Sequence, residues 1–398
     1  MPIKSLSKAE LGLGALLLAL GSVLYVLTGA VAGGSDNSGY FNEARLFSQH
    51  TVHVEPRALA GVPAGDAPPF LYVPLGFKPA PDGTPRMVPT YPPGLSLMLV
   101  PVAWIAGWRH SGDILLILHS LAGVALLFVL GLRCGLPGAW ALFGSALLAA
   151  SPLYLYTSLQ ALSDVPATTW ALAAVLAAWK SRERTPWALL SGLAIAVAFL
   201  IRPTNFLIAL PVAAAVGFAP GRLLLVALGA LPGIAATMAI NQAAYGGYFK
   251  SGYGAIGAEF HTDLVPGTLG YCIKWLPILF SPIVIAAPAI VAVFRSRPRV
   301  AAVLATWAAA FVGFYSAYRW THESWWFLRF LLPAAPAIIV AGLLVTRMCF
   351  DGLRNSFRGP WLSLLAALLV LASIGAEVAQ VLSLEAWSIG RGERKYGR

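Results

Sequence analysis

Long apolar stretches recur along almost the whole chain, and they constrain the fold more than any other feature of the sequence. A helix needs about 20 apolar residues to cross a bilayer, and only helices or closed barrels satisfy their backbone polar groups in lipid. These runs are continuous rather than alternating, which favours helices over a barrel. The sequence therefore predicts an all-α polytopic membrane protein with about 11 transmembrane helices in a single domain, residues 1–398, whose approximate spans are 9–32, 113–132, 138–156, 165–179, 187–201, 203–219, 222–242, 272–293, 300–318, 327–346 and 361–382.

Composition agrees with a membrane location and argues against nucleic acid as a partner. Hydrophobic residues make up 58% of the 398 and charged residues only 11%. Soluble proteins carry roughly a quarter charged residues, so the bilayer must serve as solvent for much of this chain. The net charge of +11 comes from Lys and Arg scattered in short loops, where they hold cytoplasmic loops in place. The run 9–32 is longer than the core of a signal peptide, so we expect an uncleaved first span.

The loops between the apolar runs fall into two alternating sets of different charge. One set holds most of the Lys and Arg and is assigned to the cytoplasm, whereas the other holds most of the acids and has all six histidines in or near it. If the apolar segment 90–107 crossed the membrane, the later basic loops would lie on the extracytoplasmic side. We therefore expect an interfacial helix over 92–107 instead. The predicted extracytoplasmic loops are a long first loop at 33–112, which contains interfacial helices, and further loops at 243–271 and 319–326.

Asp36 directly follows the first apolar run and has small residues on both sides, which leave room for a ligand. A carboxylate at the membrane surface suits a general base. Asp is also a favoured N-cap residue, and residues 40–47 fit a short interfacial helix with Tyr40, Ala44 and Phe47 on one side. The residues alone leave both interpretations open.

A second group of candidates is basic and lies at the outer ends of predicted spans: Arg202, Lys274, Arg319 and Arg329. Arg suits phosphate because its planar guanidinium group can donate two parallel hydrogen bonds. Snorkelling to lipid headgroups, or an ion pair with Asp164 or Glu323, explains the same residues equally well. Asp164 is also placed to cap the helix that starts at Val165, and Glu377 inside the last span needs a partner or a wet cavity.

Recognised cofactor motifs do not occur in the sequence. His322 and Glu323 lack a second histidine four residues on, the three cysteines are far apart, and there is no phosphate-binding glycine loop. We therefore predict no cofactor and no metal site, and leave a divalent metal open.

Several short motifs follow one another in a recognisable order on the predicted outer face. They are Asp36 with the aromatic-Ala segment behind it, Pro-Thr-Tyr-Pro-Pro-Gly (89–94), Ser-Asp-Val-Pro-Ala (163–167), Arg-Pro-Thr-Asn (202–205) and Arg-Phe-Leu-Leu-Pro (329–333). Together they resemble the GT-C glycosyltransferases, in particular the protein mannosyltransferase and aminoarabinose transferase branch. The resemblance covers most of the chain, although each motif is short.

The resemblance implies an enzyme that transfers a sugar from a polyprenyl phosphate to an acceptor, with inversion at the anomeric carbon. Asp36 would be the catalytic base, while Arg329, Arg202 and Lys274 would meet the donor phosphate. Further candidate substrate-binding residues are Tyr40, Glu43, Tyr91, Asp164, Tyr253, His322 and Glu323. The Asp-Glu pair common in the mannosyltransferases reads Asp36-Asn37 here, which weakens any assignment to protein O-mannosylation and any proposal of a divalent metal.

The partners implied by the resemblance are a polyprenyl-phosphate sugar donor, membrane lipids, and a glycan, lipid or protein acceptor that the sequence does not name. The implied location is the bacterial inner membrane, with the active site on the extracytoplasmic side. A transporter or flippase of a lipid-linked substrate is the alternative. Such a protein typically has ionisable groups at the membrane midplane and repeated halves, and this sequence has few such groups and no visible repeat.

Overall fold

The structure is a computed structural model that describes residues 6–29, 33–55, 61, 73–254, 256–356 and 361–389. Its α-helices are α1 Lys8–Leu27, α2 Gly34–Ser48, α3 Gly94–Ala106, α4 Trp108–Arg133, α5 Gly138–Ala150, α6 Pro152–Ser158, α7 Asp164–Lys180, α8 Trp187–Ile201, α9 Ala209–Val216, α10 Pro220–Tyr245, α11 Val265–Leu279, α12 Pro298–Ser316, α13 Ala335–Ser356 and α14 Trp361–Ser383. Shorter 3₁₀ helices cover Pro203–Ile208, Ile256–Glu259, Thr262–Leu264, Pro282–Phe294, Arg319–His322 and Trp325–Ala334. Two strands, β1 Phe77–Pro79 and β2 Met87–Pro89, pair antiparallel with Lys78 opposite Val88.

The helices make the chain an integral multi-pass membrane protein, as the sequence predicts. Among the described residues, six helices are long and apolar enough to cross a bilayer: Lys8–Leu27, Trp108–Arg133, Pro220–Tyr245, Pro298–Ser316, Trp325–Arg354 and Trp361–Ser383. Two bent helix pairs raise the number to as many as 8. The predicted count of 11 is not confirmed, because the runs at 187–201 and 203–219 form helices shorter than a full span.

Two of the predicted spans are broken rather than straight. The run 138–156 bends by 60° between α5 and α6, and the run 272–293 bends by 117° after α11. Pro152 and Pro282 begin the second half of each pair, and proline cannot donate the backbone hydrogen bond that would continue a helix. The two breaks meet, because Ser151 Oγ at the first donates a hydrogen bond to the Leu279 carbonyl oxygen at the second, at 2.6 Å.

Glycines allow the elements around the site to approach closely. At Gly94, the first residue of α3, a Cβ atom would overlap the backbone of Ile201, the last residue of α8. At Gly39 in α2, a Cβ atom would lie 2.6 Å from the Tyr91 ring and 3.1 Å from the Gly76 Cα atom. These contacts hold α2 and α3 against the end of α8, where Arg202 follows.

The helices predicted in the first loop are present. The helix expected over 92–107 is α3, which ends at Gly107 and continues directly into α4. The short helix expected at residues 40–47 lies inside α2, with Tyr40 and Ala44 buried on its inner side. Residues 56–60 and 62–72 of this predicted loop lie outside the described residues.

Candidate active site

Asp36 and Arg329 form the centre of the site although they are 293 positions apart in the chain. Arg329 Nη2 donates a hydrogen bond to Asp36 Oδ2 at 2.6 Å. The N-cap of α2 is Gly33, so Asp36 lies in the first turn and the expectation that Asp36 caps this helix is wrong. An acid in the first turn is still stabilised by the helix dipole. Arg329 Nε is buried and has no hydrogen-bond partner among the described residues, so one donor of this guanidinium group is available.

A second ion pair joins Asp164 at the start of α7 to Arg202 at the end of α8. Arg202 Nη1 lies 2.6 Å from Asp164 Oδ1, and the Asp164 side chain is only 1% exposed. The N-cap of α7 is Ser163, and Asp164 is the first helical residue, so the predicted capping role of Asp164 is wrong. The alternative, an ion pair between Arg202 and Asp164, is confirmed.

The Phe330 ring connects the two ion pairs. The Cζ atom of Arg202 lies 5.1 Å from the centre of this ring, and that of Arg329 lies 5.7 Å from it. Tyr315 stacks on Phe330 with ring centres 5.5 Å apart, and its hydroxyl lies 2.6 Å from Thr204 Oγ1. A cation near an aromatic face is favourable, so one aromatic group holds both guanidinium groups in place.

Three tyrosines extend from the Asp36 end of the site. The ring centres of Tyr40 and Tyr91 are 5.1 Å apart, and those of Tyr91 and Tyr253 are 6.2 Å apart. The Tyr91 hydroxyl donates a hydrogen bond to Ser35 Oγ at 2.9 Å. Burial raises the pKa of Tyr40 and of Tyr91, and the negative charge of Asp36 raises both further. These phenols are therefore neutral hydrogen-bonding groups at physiological pH.

Contacts between the first loop and the segment that includes the end of α10 and residues 246–254 place Tyr253 at this site. Lys78 Nζ in β1 lies 3.4 Å from the Ser251 carbonyl oxygen, and the Tyr245 hydroxyl donates to the Pro89 carbonyl oxygen at 2.8 Å. Gly252 lies directly against the Thr90 backbone, where a side chain would not fit. Tyr253 follows Gly252 and is 51% exposed, so it presents a half-open aromatic surface beside Tyr91.

Glu43 lies on the inner side of α2, away from any open surface. It is 2% exposed, and Ser96 Oγ in α3 donates a hydrogen bond to Glu43 Oε2 at 2.6 Å. Burial raises the pKa of Glu43 to about 8. The contact between α2 and α3 therefore contains a carboxyl group that is largely protonated at neutral pH, and in this structure Glu43 faces that contact rather than a ligand.

Three other predicted site residues are not joined to the Asp36–Arg329 pair by any described contact. Lys274 is exposed on α11, with Nζ 5.5 Å from the Trp275 ring. His322 Nδ1 lies 3.1 Å from Thr268 Oγ1, and Glu323 is exposed beside it. Their roles in binding remain predictions.

The sequence reasoning missed several groups that the structure brings to the site. Phe330 and Tyr315 form its aromatic wall, and Ser35 and Ser96 bind Tyr91 and Glu43. Phe330 is the second residue of the Arg-Phe-Leu-Leu-Pro motif, so its place next to Arg329 was a usable signal. Within the described ranges, no group of three His, Cys, Asp or Glu side chains is arranged to hold a metal ion.

Comparison with solved structures places this architecture among known folds. The chain is similar to ArnT from Cupriavidus metallidurans bound to undecaprenyl phosphate, with a TM-score of 0.61 and 14% identity over 96% of this chain and 76% of that one. The likeness shows that the two chains share a fold. The chain is also similar to the Archaeoglobus fulgidus oligosaccharyltransferase AglB, in complex with an inhibitory peptide and a dolichol-phosphate, with a TM-score of 0.55 and 13% identity.

This second likeness covers 95% of this chain but only 56% of AglB, so the chain spans little more than half of that protein's length. No protein-family model and no curated protein sequence matches the chain. The comparison confirms the predicted fold class, an all-α polytopic membrane protein whose fold is similar to those of ArnT and AglB.

Proposed function

We propose that this protein is a membrane glycosyltransferase that moves a sugar from a polyprenyl-phosphate donor to an acceptor hydroxyl on the extracytoplasmic face. The contact between Asp36 and Arg329 carries the proposal, because it places a candidate base and a candidate phosphate-binding cation in one site. The GT-C fold supports it, since one structural neighbour binds undecaprenyl phosphate and another binds dolichol-phosphate.

The proposed reaction is a single displacement. The acceptor oxygen attacks the anomeric carbon, the bond from that carbon to the phosphate oxygen breaks, and the configuration of the carbon is inverted. Asp36 takes the proton of the acceptor hydroxyl, and the bonding electron pair leaves with the polyprenyl phosphate. The leaving phosphate gains negative charge, and a fixed cation beside it lowers the barrier. Atoms and charge balance without a cofactor.

Arg329 connects the two halves of this reaction. Its Nη2 atom is bonded to Asp36, while its buried Nε atom is unpartnered among the described residues and free to donate to a phosphate oxygen. A phosphate that takes two donors from this guanidinium group competes with Asp36 for it. Donor binding would then loosen the carboxylate from its cation and leave it more basic towards the acceptor.

Arg202 supplies a second positive charge near the same aromatic wall, and Asp164 fixes its orientation. Both guanidinium groups lie near the Phe330 ring, 5.1 and 5.7 Å from its centre, and this shared neighbour supports binding of one phosphate group by both. Tyr91 and the half-exposed Tyr253 are in ring contact with each other near Asp36. Their neutral phenol groups can form hydrogen bonds with the hydroxyls of a sugar or an acceptor.

Replacing Asp36 by Asn tests the base. General-base catalysis contributes about 10²–10⁴-fold, so we expect transfer from a radiolabelled polyprenyl-phosphate sugar in membranes to fall by at least about 100-fold. Asp82→Asn is the matched control, because Asp82 also pairs with an arginine, Arg86, but is exposed in the first loop. If Asp36→Asn kept a rate within a few fold of the unmodified chain, Asp36 would not be the base.

Replacing Arg329 by Gln tests the phosphate contact. We expect a higher KM for the donor and a lower rate, together about 10–100-fold in kcat/KM, since hydrogen bonds to charged groups contribute about 1.5–3 kcal/mol. Arg319→Gln is the control, since Arg319 is half-exposed and its nearest carboxylate is Glu259 at 3.6 Å. Movement of labelled donor across vesicles without sugar transfer, unchanged by Asp36→Asn, would favour the transporter alternative instead.

A further inference from the structure

Two arginines meet at the end of α9, far from the candidate active site, and a third acts on one of them electrostatically. Arg182 Nη1 and Arg222 Nη1 each lie 3.5 Å from the carbonyl oxygen of Val216, the last residue of α9. Two atoms that share one acceptor at this distance are themselves no more than about 7 Å apart. Burial and the positive charges of Arg299 and Arg222 lower the pKa of Arg182, so Arg299 belongs to the same cluster.

The backbone at the end of α9 is shaped to receive Arg182. Gly217 follows Val216 and has a φ of +78°, which L side chains rarely adopt. The Arg182 guanidinium group occupies the space where a side chain on Gly217 would have to lie. The close approach therefore depends on a glycine at this position.

This cluster lies at the opposite end of the helices from the two ion pairs. Helix α7 contains 17 residues from Asp164 to Lys180, so its two ends lie about 24 Å apart at 1.5 Å per residue. Arg182 follows its far end. Helix α12 agrees, since Arg299 lies in its first turn and Tyr315 in its last, beside Phe330.

Carboxylates do not balance these charges within the described part of the chain. No ion pair involves Arg182, Arg222 or Arg299 there, and Glu183, the acid next to Arg182, pairs instead with Arg133 at 2.5 Å. Positive residues are ordinary in cytoplasmic loops, where they hold the topology. Topology requires only that such charges lie on one face, however, and it does not require two guanidinium groups to meet at one carbonyl group.

We propose that Arg182, Arg222 and Arg299 form a binding site for a phosphate group at the membrane surface, separate from the donor site. Three guanidinium groups supply fork-shaped donors that match phosphate oxygens, and a phosphate would neutralise charges that otherwise repel one another. Arg222 and Arg299 lie in the first turns of α10 and α12, two helices long and apolar enough to cross a bilayer, so we expect the cluster at the level of the lipid headgroups. The phosphate of an anionic phospholipid fits this position, and free phosphate offers the same chemistry.

Thermal unfolding of the full-length chain in a neutral detergent tests the site. We expect phosphatidylglycerol to raise the unfolding midpoint in a saturable way and phosphatidylcholine to leave it unchanged. Arg182→Gln should weaken the phosphatidylglycerol response by about tenfold, since one charge-assisted contact is lost. A response to inorganic phosphate that matches the lipid response would support the site and assign it to a soluble anion.

Arg354→Gln is the matched control, because Arg354 is an exposed arginine near the far end of α13, outside the cluster. Equal losses in Arg182→Gln and Arg354→Gln would show a general charge effect and overturn the proposal. Identical responses to phosphatidylglycerol, phosphatidylcholine and inorganic phosphate would also overturn the proposal. Arg182→Lys keeps the charge but removes the planar guanidinium group, and it should disturb folding less than Arg182→Gln does. If Arg182→Lys bound phosphatidylglycerol as tightly as the unmodified chain, the proposal would be overturned.

Discussion

The buried pair of Asp164 and Arg202 allows a quantitative test of how the site is held together. The side chains are 1% and 13% exposed and their charged atoms lie 2.6 Å apart. Asp164→Asn keeps the size of the side chain and removes its charge, which leaves Arg202 as a largely buried cation. Removing one partner of a buried pair costs about 3–5 kcal/mol. The amide oxygen of Asn still accepts one hydrogen bond, so we expect the lower end, about 3 kcal/mol of unfolding free energy.

Asp82→Asn is the reference for an exposed pair. Asp82 and Arg86 lie 2.8 Å apart with side chains 46% and 37% exposed, so geometry is similar and burial differs. Exposed pairs contribute about 0–1 kcal/mol, because water screens the charges. Denaturant unfolding in detergent, followed by tryptophan fluorescence, compares the two variants under the same conditions.

A double-mutant cycle separates the ion pair from other effects of substitution. Asp164→Asn with Arg202→Gln removes both charges, so its cost should be smaller than the sum of the two single costs. Additive costs, or a loss for Asp164→Asn within about 0.5 kcal/mol of that for Asp82→Asn, would refute the claim that burial makes this pair strong.

Two further predictions concern the packing of the first loop. The pKa of Glu43 is about 8 in the folded chain, whereas its ordinary value is 4.5. Between these pH values the folded state binds more protons than the unfolded state, so the free energy of unfolding should fall by a few kcal/mol as pH rises from 4.5 to 8. Stability curves measured from pH 4 to 9 should show this slope, and Glu43→Gln should flatten it; an equal slope in both would contradict the assignment. Gly94→Ala should destabilise the chain by more than 1 kcal/mol because its Cβ atom would overlap the Ile201 backbone, whereas Gly14→Ala in α1, which meets nothing within 4 Å, should be neutral or slightly stabilising. Unfolding midpoints of the two glycine variants check this, and equal values would refute the packing argument.

Much of the fold is predictable from the sequence because apolar length decides it. The runs at 113–132 and 361–382 became α4 and α14 with ends shifted by a few residues. The breaks at Ser151 and Ser281 were not predicted, although each precedes a proline, because proline is also tolerated inside membrane helices. The number of spans was therefore less predictable than the presence of helices.

The sequence identified the main residues of the site, but it did not predict which of them contact each other. The motifs located Asp36, Arg202 and Arg329, and an ion pair between Arg202 and Asp164 was one of the stated alternatives. No local pattern could show that Arg329 contacts Asp36, since that contact depends on how distant helices pack. The contact between Glu43 and Ser96 was equally hidden, because it depends on how α2 packs against α3.

The chain separation of the central pair has a consequence for biosynthesis. At about 5–20 residues per second, a ribosome needs roughly 15–60 s to make the 293 residues between Asp36 and Arg329, but only about 2–8 s for the 38 between Asp164 and Arg202. During translation the Asp36 carboxylate therefore remains without its arginine while 293 residues, almost three-quarters of the 398, are made. A nascent chain that stops before Arg329 would already contain the Asp164–Arg202 pair and would still lack the contact on which the proposed catalysis depends.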